Sequence, residues 1–306
     1  MGSLAGVGLL LVGLVFVVAG AELFFDGLLA TAARLGLSAF MLTVLVSGFE
    51  LENLAAGIAA NLKGLGNAAA GTFLGGTSFL ALGVAGLGAA LAPIRASLPG
   101  STLLWAAAAP LPVLALGLDG DLSRLDGLLL LAWSLIALAG LAYSGRSQVG
   151  GDGPVKRRRQ PLLRMLAGLA VLTGGGVALG DGLHRVVTSF QISPSLLGNT
   201  AIAAAVELEE VSRVAVPTRH GRPDIALANV FGTIAHFAAF NAALIALVRP
   251  IHLDHASLHL HLPVAAASAP ALALLTSWRN GLGRREGLLL LTLYAGYVAA
   301  AIITSA

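Results

Sequence analysis

The sequence predicts an all-α polytopic membrane protein, with ten transmembrane helices in two inverted five-helix repeats. Two observations predict this fold class: an extremely apolar composition and a duplication that runs along the whole chain. Of the 306 residues, 57% are hydrophobic and 11% are charged, and the mean hydropathy is +0.88. A soluble domain of this length would carry more charge on its surface, whereas apolar runs of about 20 residues suit a bilayer.

Ten apolar segments approach the length of a bilayer span. They lie near residues 5–28, 38–60, 66–90, 101–117, 125–143, 163–183, 194–213, 223–247, 262–278 and 286–304. The first is expected to be a span and not a cleaved leader, because it lacks a basic start and its pattern recurs later. A polar, basic segment at 145–161 separates five spans from five. The predicted organisation is a first repeat at 1–144, this linker, and a second repeat at 162–306.

The two halves of the chain resemble each other in sequence. "FELEN" (49–53) matches "VELEE" (206–210) at an offset of 157, and "RLDGLLLL" (124–131) matches "RREGLLLL" (284–291) at an offset of 160. Five spans per repeat is an odd number, so the second repeat should enter the membrane from the opposite side. Inverted repeats of this kind are common in secondary transporters, which place the ion site at the repeat interface.

The basic residues of the loops predict how the chain crosses the membrane. If the 145–161 linker is cytoplasmic, seven further arginines lie on its side, against four basic residues on the other side. The seven are Arg34, Arg95, Arg219, Arg222, Arg279, Arg284 and Arg285. This positive-inside bias predicts a cell (inner) membrane protein with a cytoplasmic linker and both termini outside.

Several carboxylates lie inside predicted spans. Glu50 and Glu52 lie mid-span in the first half, and Glu207, Glu209 and Glu210 lie mid-span in the second half. A charge at the centre of a membrane helix costs about 2.5–3.5 kcal/mol, so such acids usually face a hydrated cavity, bind cations or carry protons. The alternative is that some are neutral acids, hydrogen-bonded between helices.

Helical geometry separates these acids by direction. Positions three apart share a face, so Glu50 should point with Asn53, and Glu207 with Glu210. Glu52 and Glu209 should face elsewhere, unless the helix is broken there. Carboxylate and amide oxygens suit hard cations such as Ca²⁺, Mg²⁺, Mn²⁺ or Na⁺.

These features together resemble the cation/Ca²⁺ exchanger superfamily, and most closely its prokaryotic sodium/calcium exchangers. Each family repeat carries a G-T-S-x-P-E motif and then a G-N-x-x-G-S segment. When "AAGTFLGG" (69–76) and "DIALANVFGT" (224–233) are aligned with that segment, the family glutamate falls on Asn53 and Glu210. The resemblance implies an antiporter that exchanges a divalent cation, Ca²⁺ or a similar ion, for Na⁺ or H⁺ by alternating access at a midplane carboxylate site.

The motifs also depart from the family pattern. Glu52 and Glu209 stand where the family has helix-breaking prolines, and Leu80 and Phe237 stand where it has later Asn or Asp residues. Fewer oxygens are left for Na⁺, and a proton-coupled exchanger would need fewer ion sites. The predicted ligands of the transported cation are Glu50, Glu52, Asn53, Glu207, Glu209, Glu210, Asn229 and Thr233.

The histidines of the chain suggest functions other than transport. A His-rich segment at 252–261 suggests a membrane metalloenzyme as the alternative, and a sensor or scaffold as a third possibility. His236 is expected to be either a packed core residue or a ligand. The chain has no cysteine and no nucleotide-binding motif, so thiol chemistry and ATP-driven transport are not expected, and a net charge of only +3 does not indicate a nucleic-acid partner. As a transporter, the protein is expected not to be an enzyme and to need no cofactor besides the transported cation. The expected partners are the lipid bilayer and inorganic cations.

Overall fold

A computed structural model describes residues 2–48, 50–147, 159–189 and 208–305. Its helices, in chain order, are α1 (Gly2–Leu35), α2 (Ala39–Val46), α3 (Leu51–Leu62), α4 (Gly66–Ser78), α5 (Ala85–Leu91), α6 (Gly100–Ala108), α7 (Leu111–Leu116), α8 (Arg124–Ser144), α9 (Pro161–Ser189), α10 (Leu208–Arg219), α11 (Pro223–Ala235), α12 (Ala242–Val248), α13 (Leu262–Trp278) and α14 (Arg284–Ser305). π-Helices at Phe79–Val84, His236–Asn241 and Ser257–His261, a 3₁₀-helix at Gly117–Asp119, and strands β1 (Asp121–Leu122) and β2 (Ile251–His252) complete the described secondary structure.

Eight helical segments in the described part of the chain are long and apolar enough to cross a membrane. They are Ala5–Leu35, Gly66–Leu91, Gly100–Asp119, Arg124–Ser144, Pro161–Gly182, Pro223–Val248, Ser257–Trp278 and Arg284–Thr304. Their outer faces carry large exposed apolar side chains, among them Leu11, Val15 and Leu288. Such a surface suits lipid and not water, so the chain is an integral membrane protein.

Two of the ten predicted spans are not among these eight. The segment 38–60 is divided into α2 and α3, so the predicted span there is not one continuous helix. The segment 194–213 lies largely outside the described residues, which resume at α10.

The contacts divide the chain into two compact units, and each draws on both sequence halves. The first unit contains residues 1–39 and 151–222, and the second contains 40–150 and 223–306. In the first unit, α1 and α9 pack antiparallel along much of their length, and α10 packs against both. A methyl group on Gly20 would overlap the backbone of Leu172, and one on Gly27 would overlap the backbone of Met165. The two helix backbones therefore approach closely at small residues, as helices in membranes often do.

The second unit contains a helical segment that occurs twice with the same internal division. Gly66–Ser78 is followed by a π-helix and then by Ala85–Leu91, and the same order recurs from Pro223 to Val248. Every boundary shifts by the same 157 residues that separate the matched sequence motifs. A π-helix needs one extra residue per turn and is uncommon, so its presence at both matched positions is a specific similarity of the halves.

Pairings between the halves in the second unit are reciprocal. Leu122 pairs with Ile251, and Ile94 pairs with Leu282. Ile94 and Ile251 are 157 residues apart, and Leu122 and Leu282 are 160 apart, so each pairing is the image of the other.

The last helix of each half also begins in the same way. The Asp126 carboxylate accepts from the N–H of Ser123 at 2.8 Å, and Glu286 accepts from the N–H of Gly283 at 2.9 Å.

The apolar core of the second unit lies between these matched segments. Phe73, Leu74, Leu130, Ile245 and Leu262 are all fully or almost fully buried in one cluster. This packed core holds α4 and α12 in place, and α11, next to α12, carries candidate site residues.

Candidate functional site

The break in the predicted second span lies next to its acids. Residues 47–50 separate α2 from α3, and Glu50 is the residue immediately before α3, with φ −96° and ψ 79°. Its backbone N–H donates to the carbonyl of Gly48 at 2.8 Å, while its side chain does not cap the helix. The N-terminal end of a helix favours negative charge. The break therefore gives a carboxylate a favourable place inside an otherwise apolar segment.

Glu50 and Asn53 form a partly buried acid–amide pair at this break. The Asn53 Nδ2 donates to Glu50 Oε2 at 2.6 Å, and Glu50 is 8% exposed. The prediction that these two residues share a face is confirmed. Because the amide nitrogen is used in this bond, the amide oxygen is the group that Asn53 can offer to a cation. The backbone of Glu52 lies in the first turn of α3, and its side chain is outside the described atoms.

The helix break packs against α11 and the π-helix that follows it, within the second unit. A methyl group on Gly48 would overlap the imidazole of His236, and one on Gly232 would overlap the hydroxyl of Ser47. The His236 ring is 3% exposed, and its Nδ1 lies 2.9 Å from the carbonyl oxygen of Gly232. Glycine is needed at 48 because the ring occupies the space that a side chain would take. His236 therefore contacts the broken segment at Gly48, which is two residues before Glu50 in the chain.

The predicted ligands of α11 are deeply buried on one face. Asn229 and Thr233 are four residues apart, and they are 1% and 0% exposed. His236 follows three residues later on the same side of the helix. Buried polar groups of this kind need partners or a bound species to offset their desolvation.

Apolar groups occupy the neighbouring positions where the resemblance places oxygen ligands. A methyl group on Gly76 would lie 2.5 Å from Cδ1 of Phe237, so the Phe237 ring fills the space above that glycine. Leu80 and Phe237 are each 1% exposed. The expectation that these two positions do not ligate agrees with their apolar surroundings.

The acids of the second half are paired with an arginine in the first unit. The Arg213 Nη1 donates to Glu210 Oε1 at 2.5 Å, and its Nη2 donates to Glu209 Oε1. The Thr173 hydroxyl, on α9, also lies 3.4 Å from Glu209 Oε1. All three charged residues are at most 5% exposed.

This arrangement corrects one sequence prediction. Glu209 was expected to face away from Glu210, but both carboxylates converge on the same guanidinium, because Arg213 lies four and three residues beyond them. That i,i+4 and i,i+3 spacing is visible in "ELEEVSR" and is the usual spacing of ion pairs on a helix. Glu207 lies outside the described residues, so its predicted pairing with Glu210 stays a prediction.

The histidines of the 252–261 segment have separate partners. His252 Nδ1 lies 2.9 Å from Asp121 Oδ1, His255 stacks on His259, and His261 Nδ1 lies 2.7 Å from the Tyr297 hydroxyl. Nearby, the backbone N–H of Ser257 donates to Asp254 and lowers the pKa of that carboxyl.

No three His, Asp or Glu side chains stand together as a metal-binding group within the described ranges. The metalloenzyme alternative therefore has no support in the part of the chain that the structure describes. The same finding means that the predicted acidic ligands are not gathered into one preformed metal cage there.

Eight described apolar spans, and a buried carboxylate at a broken helix, define a polytopic membrane protein with a candidate cation site. The family described as sodium/calcium exchanger protein matches residues 5–142 and 161–303. The chain belongs to the sodium/calcium exchanger family, which confirms the resemblance predicted from the sequence. It is accordingly a cation antiporter of the membrane and not an enzyme.

Relatives and solved structures agree with this assignment. The chain is 27% identical over 309 residues to a protein named antiporter CaxA from Alkalimonas amylolytica, covering 94% of this chain and 95% of that one. It is 28% identical over 272 residues to the inner membrane protein YrbG of Escherichia coli strain K12, covering 82% of each. The sodium-calcium exchanger NCX_Mj, soaked with zero Na⁺ and Ca²⁺, has a similar fold, with a TM-score of 0.84, 22% identity, and coverage of 96% and 98%. NCX_Mj soaked with 100 mM Na⁺ and 10 mM Sr²⁺ gives a TM-score of 0.82 at 22% identity, covering 97% of this chain and 98% of that one.

Proposed function

We propose that the protein exchanges a divalent cation, Ca²⁺ or a similar ion, for Na⁺ or H⁺ by alternating access. The observation that carries this proposal is the partly buried Glu50–Asn53 pair at the break between α2 and α3. A carboxylate beside an amide oxygen matches the ligands that hard cations prefer. The names of two relatives support the same reaction class, since CaxA is named an antiporter and NCX_Mj a sodium-calcium exchanger.

Other predicted ligands are proposed to assist this pair. The Thr233 hydroxyl is fully buried and has no hydrogen-bond partner among the described residues, which is unfavourable unless it binds something. Asn229 lies one turn earlier on the same face of α11. Glu52, Glu207, Glu209 and Glu210 are the remaining predicted acidic ligands, and their binding of the transported ion at one midplane site stays a prediction.

The counter-ion is proposed to be H⁺ in preference to Na⁺. The Phe237 ring over Gly76 and the buried Leu80 place carbon where further oxygen ligands for Na⁺ would be needed. Carboxylates that bind a cation in one state can carry protons in the other. Cation binding should then weaken as the pH falls between 8.5 and 5.5, because protons compete for the same oxygens.

The architecture is proposed to be ten spans in two inverted repeats, with 1–144 and 162–306 as the repeats. Three observations support it: the shared boundaries at an offset of 157, the reciprocal pairings, and the antiparallel packing of α1 and α9. The first helices of the two halves run in opposite directions, as inversion requires.

The protein is proposed to lie in the inner membrane with the 145–161 linker in the cytoplasm and both termini outside. The arginine bias of the loops supports this orientation, and YrbG is named an inner membrane protein. A single cysteine at position 157, introduced into the cysteine-free chain, should be labelled by an impermeant reagent only after the membrane is opened. Labelling of this cysteine from outside in intact cells would contradict the proposed orientation.

Transport by the purified chain in liposomes tests the proposed function. Uptake of Ca²⁺, Mn²⁺ and Mg²⁺ should be measured against an imposed pH gradient and, separately, an imposed Na⁺ gradient. We expect divalent uptake driven by the pH gradient, and loss of that uptake in Glu50→Gln. Absence of divalent uptake under either gradient would overturn the proposal, and uptake driven by Na⁺ alone would overturn the choice of H⁺.

A further inference from the structure

In the second half, the carboxylates of Glu209 and Glu210 bind a cation that is part of the protein itself, the guanidinium of Arg213. The Arg213 guanidinium is 3% exposed, and it donates to a carboxylate oxygen of Glu209 and to one of Glu210. Its two outer nitrogens thus bridge two acids in the way that a metal ion would. Two neighbours on other helices lie beside this group. The Phe24 ring of α1 is 5.9 Å from the guanidinium carbon, and the Thr173 hydroxyl of α9 is close to Glu209.

This cation resembles a metal ion in keeping its charge, and differs from one in being fixed to the chain. A guanidinium keeps its proton at all physiological pH values, so Arg213 cannot lose its charge. It is also covalently attached, so it cannot be carried across the membrane. Its charge-assisted bonds are among the stronger hydrogen bonds in proteins, and they occupy oxygens that a transported ion would need.

Arg213 also balances the formal charges of the two matched clusters. The first half contributes Glu50 and Glu52, and the position matched to Arg213 is Ala56. The second half contributes three glutamates and one arginine. Each cluster therefore has a formal charge of −2, although the second contains one more acid.

We infer that Arg213 is a resident cation that occupies the Glu209 and Glu210 carboxylates in place of a transported metal ion. Resting on the proposed function, this assigns the main burden of binding the transported ion to the first-half pair of Glu50 and Asn53. Removal of the guanidinium charge should then create a place for an extra divalent cation in the second-half cluster.

The experiment compares Ca²⁺ binding by the purified full chain in detergent, with radioactive Ca²⁺ in equilibrium dialysis and with thermal unfolding. Arg213→Gln is expected to bind more Ca²⁺ per chain than the unmodified protein. Its Ca²⁺-induced rise in Tm should be roughly twofold larger, because a ligand that binds only the folded state stabilises it. The matched control is Glu209→Gln with Arg213→Gln, which keeps the charge of the Glu209–Glu210–Arg213 group while removing the guanidinium, and it should show no such gain.

The possible results separate clearly. Equal Ca²⁺ binding by folded Arg213→Gln and the unmodified chain would overturn the inference, as would an equal gain in the double variant. If Arg213→Gln is recovered folded only in Ca²⁺-containing buffer, the inference is supported. If it is never recovered while the double variant is, the inference is overturned. This comparison needs no transport, so failure of uptake in liposomes overturns the proposed function and leaves the inference to its own test.

Discussion

The two acid clusters occupy matched positions in a duplicated sequence, yet they handle negative charge differently. In the first, the helix is broken before α3 and a carboxylate is paired with a neutral amide. In the second, α10 brings an arginine to two carboxylates. Both halves keep acids at matched positions, and the role inferred for Arg213 leaves the first cluster as the one open to an external cation.

The largest expected effect concerns the arginine of the second cluster. Arg213→Met should lower the free energy of unfolding by about 3–5 kcal/mol, because it leaves two buried carboxylates without their guanidinium. Thermal unfolding in detergent measures this. The triple variant Glu209→Gln, Glu210→Gln and Arg213→Met should recover most of the loss. Arg146→Met, which removes a surface cation stacked on Tyr143, should change stability by less than about 0.5 kcal/mol.

The first cluster should respond in function more than in folding. Glu50→Gln keeps the shape of the side chain and removes its charge, and it should reduce the initial rate of divalent uptake about 100-fold, which corresponds to ~2.7 kcal/mol in the activation free energy of transport. Liposome uptake at matched protein content measures this. Glu286→Gln makes the same chemical change at the start of α14 and should retain transport. Similar losses in both variants would contradict the special role of Glu50.

The contact between the helix break and His236 gives a smaller, packing-based test. Gly48→Ala should destabilise the protein by about 1–3 kcal/mol, because its methyl group meets the imidazole ring. His236→Ala in the same chain should reverse part of that loss, giving a measurable coupling in a double-mutant cycle. Gly71→Ala is the matched control, since nothing lies within 4 Å of its added methyl group. Additive effects of the two substitutions would show that the ring and the break are independent.

The smallest expected effect is at Glu52, the first-half counterpart of Glu209. Glu52→Gln should leave divalent uptake within about threefold of the unmodified protein, because Glu50 and Asn53 share a face that Glu52 does not. The same liposome assay decides it. If uptake falls as far as in Glu50→Gln, the helix break must rotate the Glu52 side chain toward the ion site. Glu52 would then have to be assigned as a main ligand.

The sequence predicted more of the fold than of the local geometry. Mean hydropathy and the duplication were enough to predict a polytopic helical membrane protein, and eight described spans agree with this. The shared face of Glu50 and Asn53 also followed from helical spacing. The sequence left open a break near Glu52, where the family has a proline, whereas the structure places the break just before α3, at residues 47–50. Gly48 was the available signal, since glycine is a poor helix former.

The remaining features depend on contacts that spacing cannot reveal. His236 lies 188 residues from Gly48 in the chain, and only tertiary packing brings its ring to the break. The ion pairs of Arg213 are an exception, because its spacing of four and three residues from Glu209 and Glu210 could have predicted them from the sequence. Local spacing predicted pairs within a helix, whereas the meeting of separate segments required the structure.

The close packing of α1 against α9 has a consequence for the order of synthesis. α1 ends at Leu35 and α9 begins at Pro161, so 125 residues must be made between them. At roughly 5–20 residues per second, the ribosome needs about 6–25 s for that stretch. During this interval the glycine-lined face of α1 is in the bilayer before its partner exists, and lipid or the insertion machinery must cover it. A chain that stalls before residue 161 would therefore carry an incomplete first unit, in which that face of α1 lacks its helical partner.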